Sequence, residues 1–133
     1  MVSEAIVPIN TDTDVVAARQ KGRELATELG FRSTNATLLA TAISELARNI
    51  LRYAKSGEIL IASVQSGDRV GIAVVARDKG PGIANISLAM QDGFSTSGGL
   101  GLGLPGVKRL MDEFHLVSDV NKGTRVTIKK WKR

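Results

Sequence analysis

The sequence predicts an α+β two-layer sandwich, a mixed β-sheet covered on one face by three helices. Three observations predict it. Two stretches near the N-terminus carry apolar residues at helical spacing. Two pairs of Ile- and Val-rich runs are each joined by turn residues. Between those pairs lies a glycine-rich stretch that opens a third, shorter helix. The order β-α-α-β-β-loop-α-β-β over 133 residues suits one domain, residues 1–133, and sets the helices against one side of the sheet.

Each element has its own signal. Ile6, Val7 and Ile9 mark a short strand over Glu4–Asn10. Thr11-Asp12-Thr13-Asp14 then offers N-caps and first-turn acids, apolar positions recur at 15, 18, 22, 25 and 29, and Gly30 supplies the stop. Ser33-Thr34-Asn35 opens a second helix that runs to about Tyr53. At roughly 100° per residue, Leu39, Ala42, Ile43, Leu46, Ile50 and Tyr53 share its apolar side. Thr41, Glu45, Arg48, Asn49 and Arg52 gather on the other side, with Glu45 and Asn49 one turn apart. Glu58–Gln65 and Arg69–Arg77 read as strands joined through Ser66-Gly67-Asp68. Of 14 glycines, eight lie between Gly80 and Gly106, which predicts irregular structure there. The third helix is expected from Leu104 or Pro105 to about Phe114. Strands over 115–120 and 124–130 then close the chain around Asn121-Lys122-Gly123.

Composition narrows the function. Hydrophobic residues are 43% and charged residues 23%, enough for a sizeable core in a soluble protein. Cysteine is absent, which excludes disulfides, a thiolate nucleophile and a Cys-built zinc site, and points to a reducing cytoplasm. The first residues have neither a basic start nor an apolar run, so no signal peptide is expected, and no window has the ~18 apolar residues of a membrane span. Lys and Arg number 18 against 13 Asp and Glu. Four of those cations (Lys129, Lys130, Lys132 and Arg133) sit in the last five positions, and without them the balance is 14 against 13. The basic character therefore belongs to the chain end, read as a solvated tail or, more sharply, as a surface for an anionic partner. Aromatics are only 4%, too few to interleave with cations in a nucleic-acid groove.

Two segments carry chemistry. Asp78-Lys79-Gly80-Pro81-Gly82 follows an apolar strand. A carboxylate at a strand end, with glycines allowing close backbone approach, suits a ligand bearing an exocyclic amine, although the same residues also make a good turn. Ser95-Thr96-Ser97-Gly98-Gly99-Leu100-Gly101-Leu102-Gly103-Leu104 runs straight into a helix. Its hydroxyls, free backbone N–H groups and helix N-terminus together favour phosphate oxygens. Gly101-Leu102-Gly103-Leu104-Pro105-Gly106 also satisfies the dinucleotide pattern G-x-G-x-x-G, but no strand precedes it, so that reading fails. No P-loop motif is present. His115 is the single histidine, which leaves no transition-metal cluster and no supported catalytic triad, and it reads as structural.

In combination these segments resemble the N, G1, G2 and G3 boxes of the GHKL, or Bergerat-fold, ATP-binding family. The boxes are Glu45-Leu46-Ala47-Arg48-Asn49, Asp78 to Gly82, Gly99 to Leu104, and Gly123-Thr124. Ala42 to Ile50, Asp92 to Gly99 and Leu104 to Phe114 are most similar to the short stand-alone serine kinases that regulate bacterial sigma factors. The resemblance implies ATP and Mg²⁺ as cofactors, with Asn49 on the metal and Glu45 as the base for a seryl hydroxyl. It implies Asp78 on the adenine amine, Gly82 packed against the ring, Gly80 as a further nucleotide-binding residue, and Thr124 in support of the base. Ser95, Thr96, Gly98, Gly99, Gly101, Leu102 and Gly103 would hold the phosphates, and residues 84–98 would form a lid. Some anti-sigma relatives place an arginine just before the second glycine box. Here Ser95 to Gly99 has no basic residue, so Arg48, Lys108 and Arg109 are the candidate charge partners. The substrate so implied is a STAS-domain protein of the stressosome, and the downstream partner a PP2C-type phosphatase, with neither nucleic acid nor membrane involved. The alternatives are an ATP-dependent anti-sigma factor that binds a sigma factor directly, and the ATPase domain of a larger machine, for which the chain offers no additional domain.

Overall fold

The structure is a computed structural model that describes residues 4–83, 90 and 103–133. Its elements follow the expected order: β1 (Glu4–Ile9), α1 (Asp12–Glu28), α2 (Ser33–Ala54), β2 (Gly57–Ser66), β3 (Arg69–Asp78), α3 (Gly103–Leu110), β4 (Glu113–Asp119) and β5 (Gly123–Trp131). The Asp14 carboxylate opens α1 by accepting the backbone N–H groups of Asn10 and Thr11 at 2.8 and 3.0 Å. At the other end, Gly30 N–H donates to Thr27 O and Phe31 N–H to Ala26 O, which pairs otherwise orphaned carbonyls.

The helices pack on one face of a five-stranded sheet of order β1-β2-β3-β5-β4. Ile9, Ile59, Ile61, Ile72, Val74 and Ile128 from the strands meet Leu39, Ile43 and Leu46 of α2 in the core. The two-layer sandwich is as expected, but the sheet is not mixed: every pairing among the described strands is antiparallel. Chain geometry explains this. Two helices between β1 and β2 carry the chain across the sheet and back, so β2 returns antiparallel. β3 and β4 point the same way, yet β5 inserts between them and runs against both.

Three local expectations are corrected. The third helix ends at Leu110 rather than near Phe114, because Glu113 and Phe114 pair across strands with Lys129 and Ile128. Tyr53 is 51% exposed although its spacing places it on the apolar side of α2, and Glu45 is buried although it lies on the polar side. The middle of α2 packs on α1, α3 and the sheet at once, and this crowding buries Glu45 even though Arg48, one turn on, is exposed. The basic chain end is not a solvated tail. Lys130 is buried in β5, and its ammonium donates to Leu110 O at 2.9 Å, capping α3. Arg133 clamps Asp112 with bonds of 2.7 and 3.1 Å, and Asp112 also accepts the Trp131 backbone N–H at 2.7 Å.

Candidate functional site

Strand register creates the site. Gly57, Asp78, Thr124 and Ser118 form one row across β2, β3, β5 and β4. Directly opposed residues in antiparallel strands project to the same face. The row therefore puts Asp78, Thr124 and Ser118 on the helix side at one end of the sheet. Gly57 has no side chain there because a Cβ would lie 2.8 Å from Ile50 Cγ2 and 2.5 Å from Arg77 O.

Above Asp78 and Thr124 is a cavity of about 270 Å³. Leu46, Asn49, Ile50 and Tyr53 of α2 form its roof, and Ala76 and Val126 continue the sheet floor. Pro81, Gly82 and Ile83 form a side wall, and Gly103 and Leu104 bring the start of α3 to the rim. The result is a slot with apolar faces and a polar end, the shape that suits a flat heterocycle. The N-terminal end of α3, the positive end of the helix dipole, lies at the same opening.

The side wall is fastened to the β4–β5 turn. Asn121 N–H donates to Pro81 O and Ile83 N–H to the Ser118 hydroxyl, both at 2.7 Å. Gly82 has φ +77°, and a Cβ on it would sit 2.0 Å from Asp119 O, so only glycine lets these segments touch. Asp78 Oδ1 accepts Gly80 N–H at 2.9 Å, which leaves Oδ2 for a ligand. Gly80 itself packs against Ala54 behind the wall.

The structure thus brings Asn49, Asp78, Gly82, Gly103 and Thr124 together around one cavity. Glu45 lies apart from the lining; its nearly buried carboxylate pairs with Arg48 at 2.9 Å, and Arg48 is half exposed. Lys108 and Arg109 are exposed in the last turn of α3 and do not line the cavity. Ser95, Thr96, Gly98, Gly99, Gly101, Leu102 and the lid segment 84–98, apart from Met90, lie outside the described residues. Sequence reasoning missed the apolar slot residues, because Leu46 and Ile50 have the same spacing as core positions. It also missed Ser118, whose only signal was its place three residues before the closing turn. Among the described residues no three acidic or histidine side chains cluster as a metal site. Asn49 lines the cavity, and its carboxamide oxygen is of the donor type that a hard cation takes.

Fold and slot together define a nucleotide-binding ATPase class, and the comparisons agree. The chain belongs to the histidine kinase-, DNA gyrase B- and HSP90-like ATPase family, whose model matches residues 34–133. It is 53% identical to the serine/threonine-protein kinase RsbT of Bacillus subtilis over 133 residues, covering the whole of both chains. It is 36% identical over 100 residues to the anti-sigma F factor of Geobacillus thermodenitrificans, covering 71% of this chain and 68% of that one. Among solved structures, the RsbU and RsbW domains of a Mycobacterium tuberculosis protein match all of this chain and 33% of theirs, with TM-score 0.65 and 20% identity. The catalytic domain of the histidine kinase ThkA matches 96% of each chain, with TM-score 0.53 and 16% identity, a likeness of fold. No helix among the described residues is long and apolar enough to cross a membrane.

Proposed function

We propose that this chain is a cytoplasmic Mg-ATP-dependent protein-serine kinase that phosphorylates a STAS-domain protein of a stressosome-type partner switch and then activates a PP2C-type phosphatase. The enzyme class, a serine/threonine-protein kinase, rests on end-to-end identity with such an enzyme. The observation that supports the nucleotide reading is the row Asp78–Thr124 beneath an apolar slot, with a helix N-terminus at its mouth.

Each residue has a part in this reading. Leu46 and Ile50 face the sheet residues across the slot and sandwich the base, while Asp78 accepts from its amino group. Asn49 would hold Mg²⁺, which would supply neutralisation of phosphate charge. Gly103 and the start of α3 set backbone N–H groups on the phosphates, a role shared with Ser95, Thr96, Gly98, Gly99, Gly101 and Leu102. Glu45 takes the proton as the seryl oxygen attacks the γ-phosphorus and the bond to the bridging oxygen breaks. Arg48 holds that carboxylate in place through their 2.9 Å ion pair. Residues 84–98 close as a lid within a single domain.

The test is to incubate the protein with Mg-ATP and a STAS-domain candidate, then map phosphate by mass spectrometry. Phosphoserine on the STAS protein is expected. ATP binding without transfer, combined with capture of a sigma factor, would favour the anti-sigma reading, which the likeness to anti-sigma F factors supports.

A further inference from the structure

We infer that Ser118, through its hydrogen bonds, sets the Thr124 hydroxyl as an acceptor and so makes the slot select a 6-amino purine over a 6-oxo purine; this rests on the nucleotide reading above. The argument is proton accounting. A serine hydroxyl has one proton and two lone pairs. Ser118 Oγ lies 2.7 Å from Ile83 N, 3.1 Å from Gly123 O and 2.8 Å from Thr124 Oγ1. Ile83 N–H must donate to Ser118, and Gly123 O must accept from it. The single Ser118 proton is then spent on Gly123 O, and one lone pair is spent on Ile83. The contact with Thr124 is satisfied only if Thr124 donates to the remaining lone pair.

That placement uses the only proton of Thr124. What Thr124 presents to the slot is its lone pairs. Asp78, its cross-strand partner, has acceptor oxygens only as a carboxylate, and one of them is already engaged by Gly80 N–H. The polar end of the slot therefore offers two acceptors side by side and no donor from either residue. An exocyclic amine bound directly, with its two N–H donors, satisfies both. A carbonyl oxygen at the same ring position faces lone pairs and has no proton to share. Ser118 is a positioning residue in this scheme: it acts on the choice of base through Thr124 and on the wall of the slot through Ile83.

The experiment compares binding of ATP and inosine triphosphate, which differ at that ring position, to the full chain by calorimetry with Mg²⁺. The native protein should favour ATP. Ser118→Ala and Ser118→Cys free the Thr124 hydroxyl to rotate and donate, and should lower the ATP-to-ITP affinity ratio by about five- to tenfold, one hydrogen bond's worth. Ser118→Thr, which keeps the hydroxyl, should restore the ratio. Loss of structure or of the Ile83 contact would weaken both nucleotides together. An unchanged ratio in a folded Ser118→Ala or Ser118→Cys protein would therefore overturn the role of Ser118. Failure of the native protein to bind either nucleotide would instead overturn the nucleotide reading, and this inference with it.

Discussion

Gly82→Ala tests whether the side wall of the slot depends on a backbone contact that only glycine permits. At φ +77° an alanine carries about 1–2 kcal/mol of strain. Its Cβ would also stand 2.0 Å from Asp119 O and 2.7 Å from the carbonyl carbon, so the wall must retreat from the β4–β5 turn. Retreat breaks the Pro81–Asn121 and Ile83–Ser118 bonds, each worth about 0.5–1.5 kcal/mol. The closed wall should therefore lose about 2–5 kcal/mol relative to an opened one. Apparent affinity falls with the fraction of protein in the competent form, so 2 kcal/mol already implies roughly a 30-fold weaker Kd for ATP. Opening only the wall leaves the core unchanged, so urea unfolding should show a smaller loss than binding does. Calorimetry paired with urea titration reads both quantities. Gly67→Ala is the control, since its Cβ meets nothing within 4 Å and the site is far from the slot. ATP affinity within threefold of native in Gly82→Ala would refute the reasoning.

Four further outcomes are expected. Asp78→Asn should weaken ATP by about ten- to hundredfold, because part of an acceptor becomes a donor facing the amine; unchanged calorimetry would remove Asp78 from the base site. Glu45→Gln should leave ATP binding intact and slow single-turnover transfer by about 10²–10⁴-fold, the range for a lost general base; near-native transfer would show that Glu45 only pairs with Arg48. Lys130→Met should lower stability by about 1–2 kcal/mol, or roughly 3–6 °C in Tm, because it orphans the last carbonyl of α3; no change would return the chain end to a solvated tail. Asp112 should mark the acid limb of stability. Burial raises its pKa, but the Arg133 and Trp131 bonds and the Lys130 charge outweigh that and hold it below the ordinary 3.8. A depressed carboxyl contributes fully above its ordinary value and loses that contribution as pH falls through the lowered one. Asp112→Asn should therefore flatten the loss of stability below about pH 4, followed by the fluorescence of Trp131, the single tryptophan; an unaltered acid limb would argue against the hook.

What the sequence could and could not reveal follows from the range of the interactions. Periodicity located both long helices because Val15, Ala18, Gly22 and Leu25 repeat along a single element and report burial directly. It misjudged Glu45 and Tyr53, whose burial depends on how neighbours crowd the middle of α2 and leave its end open. It extended the third helix too far because Met111 to Phe114 have helical spacing, while what stops the helix is pairing with residues 128 and 129. Asn49, Asp78 and Thr124 were legible as candidates because each stands in a short local motif. Ser118 was not, since its role arises where three separated segments meet on one hydroxyl.

The departure from a mixed sheet is also what makes the slot possible. β3 and β4 point the same way, so direct pairing between them would have set the end of β3 beside the end of β4. Asp78 would then neighbour residues near Asp119, with Thr124 on an outer strand, away from it. Insertion of β5 between them reverses the local direction and brings the start of the last strand against the end of β3, in the register Asp78↔Thr124. The same insertion places Ser118 on the far side of Thr124, where it can accept the Thr124 proton. It also carries Lys130, at the other end of β5, under the C-terminus of α3, whose N-terminus opens on the slot. In the proposed reading, one strand would supply an acceptor for the base, give that acceptor its polarity by contact with β4, and tie down the helix that would face the phosphates. Perturbations at the two ends of β5 should therefore reach the same ligand by different routes: through base selectivity at Thr124, and through phosphate affinity at Lys130.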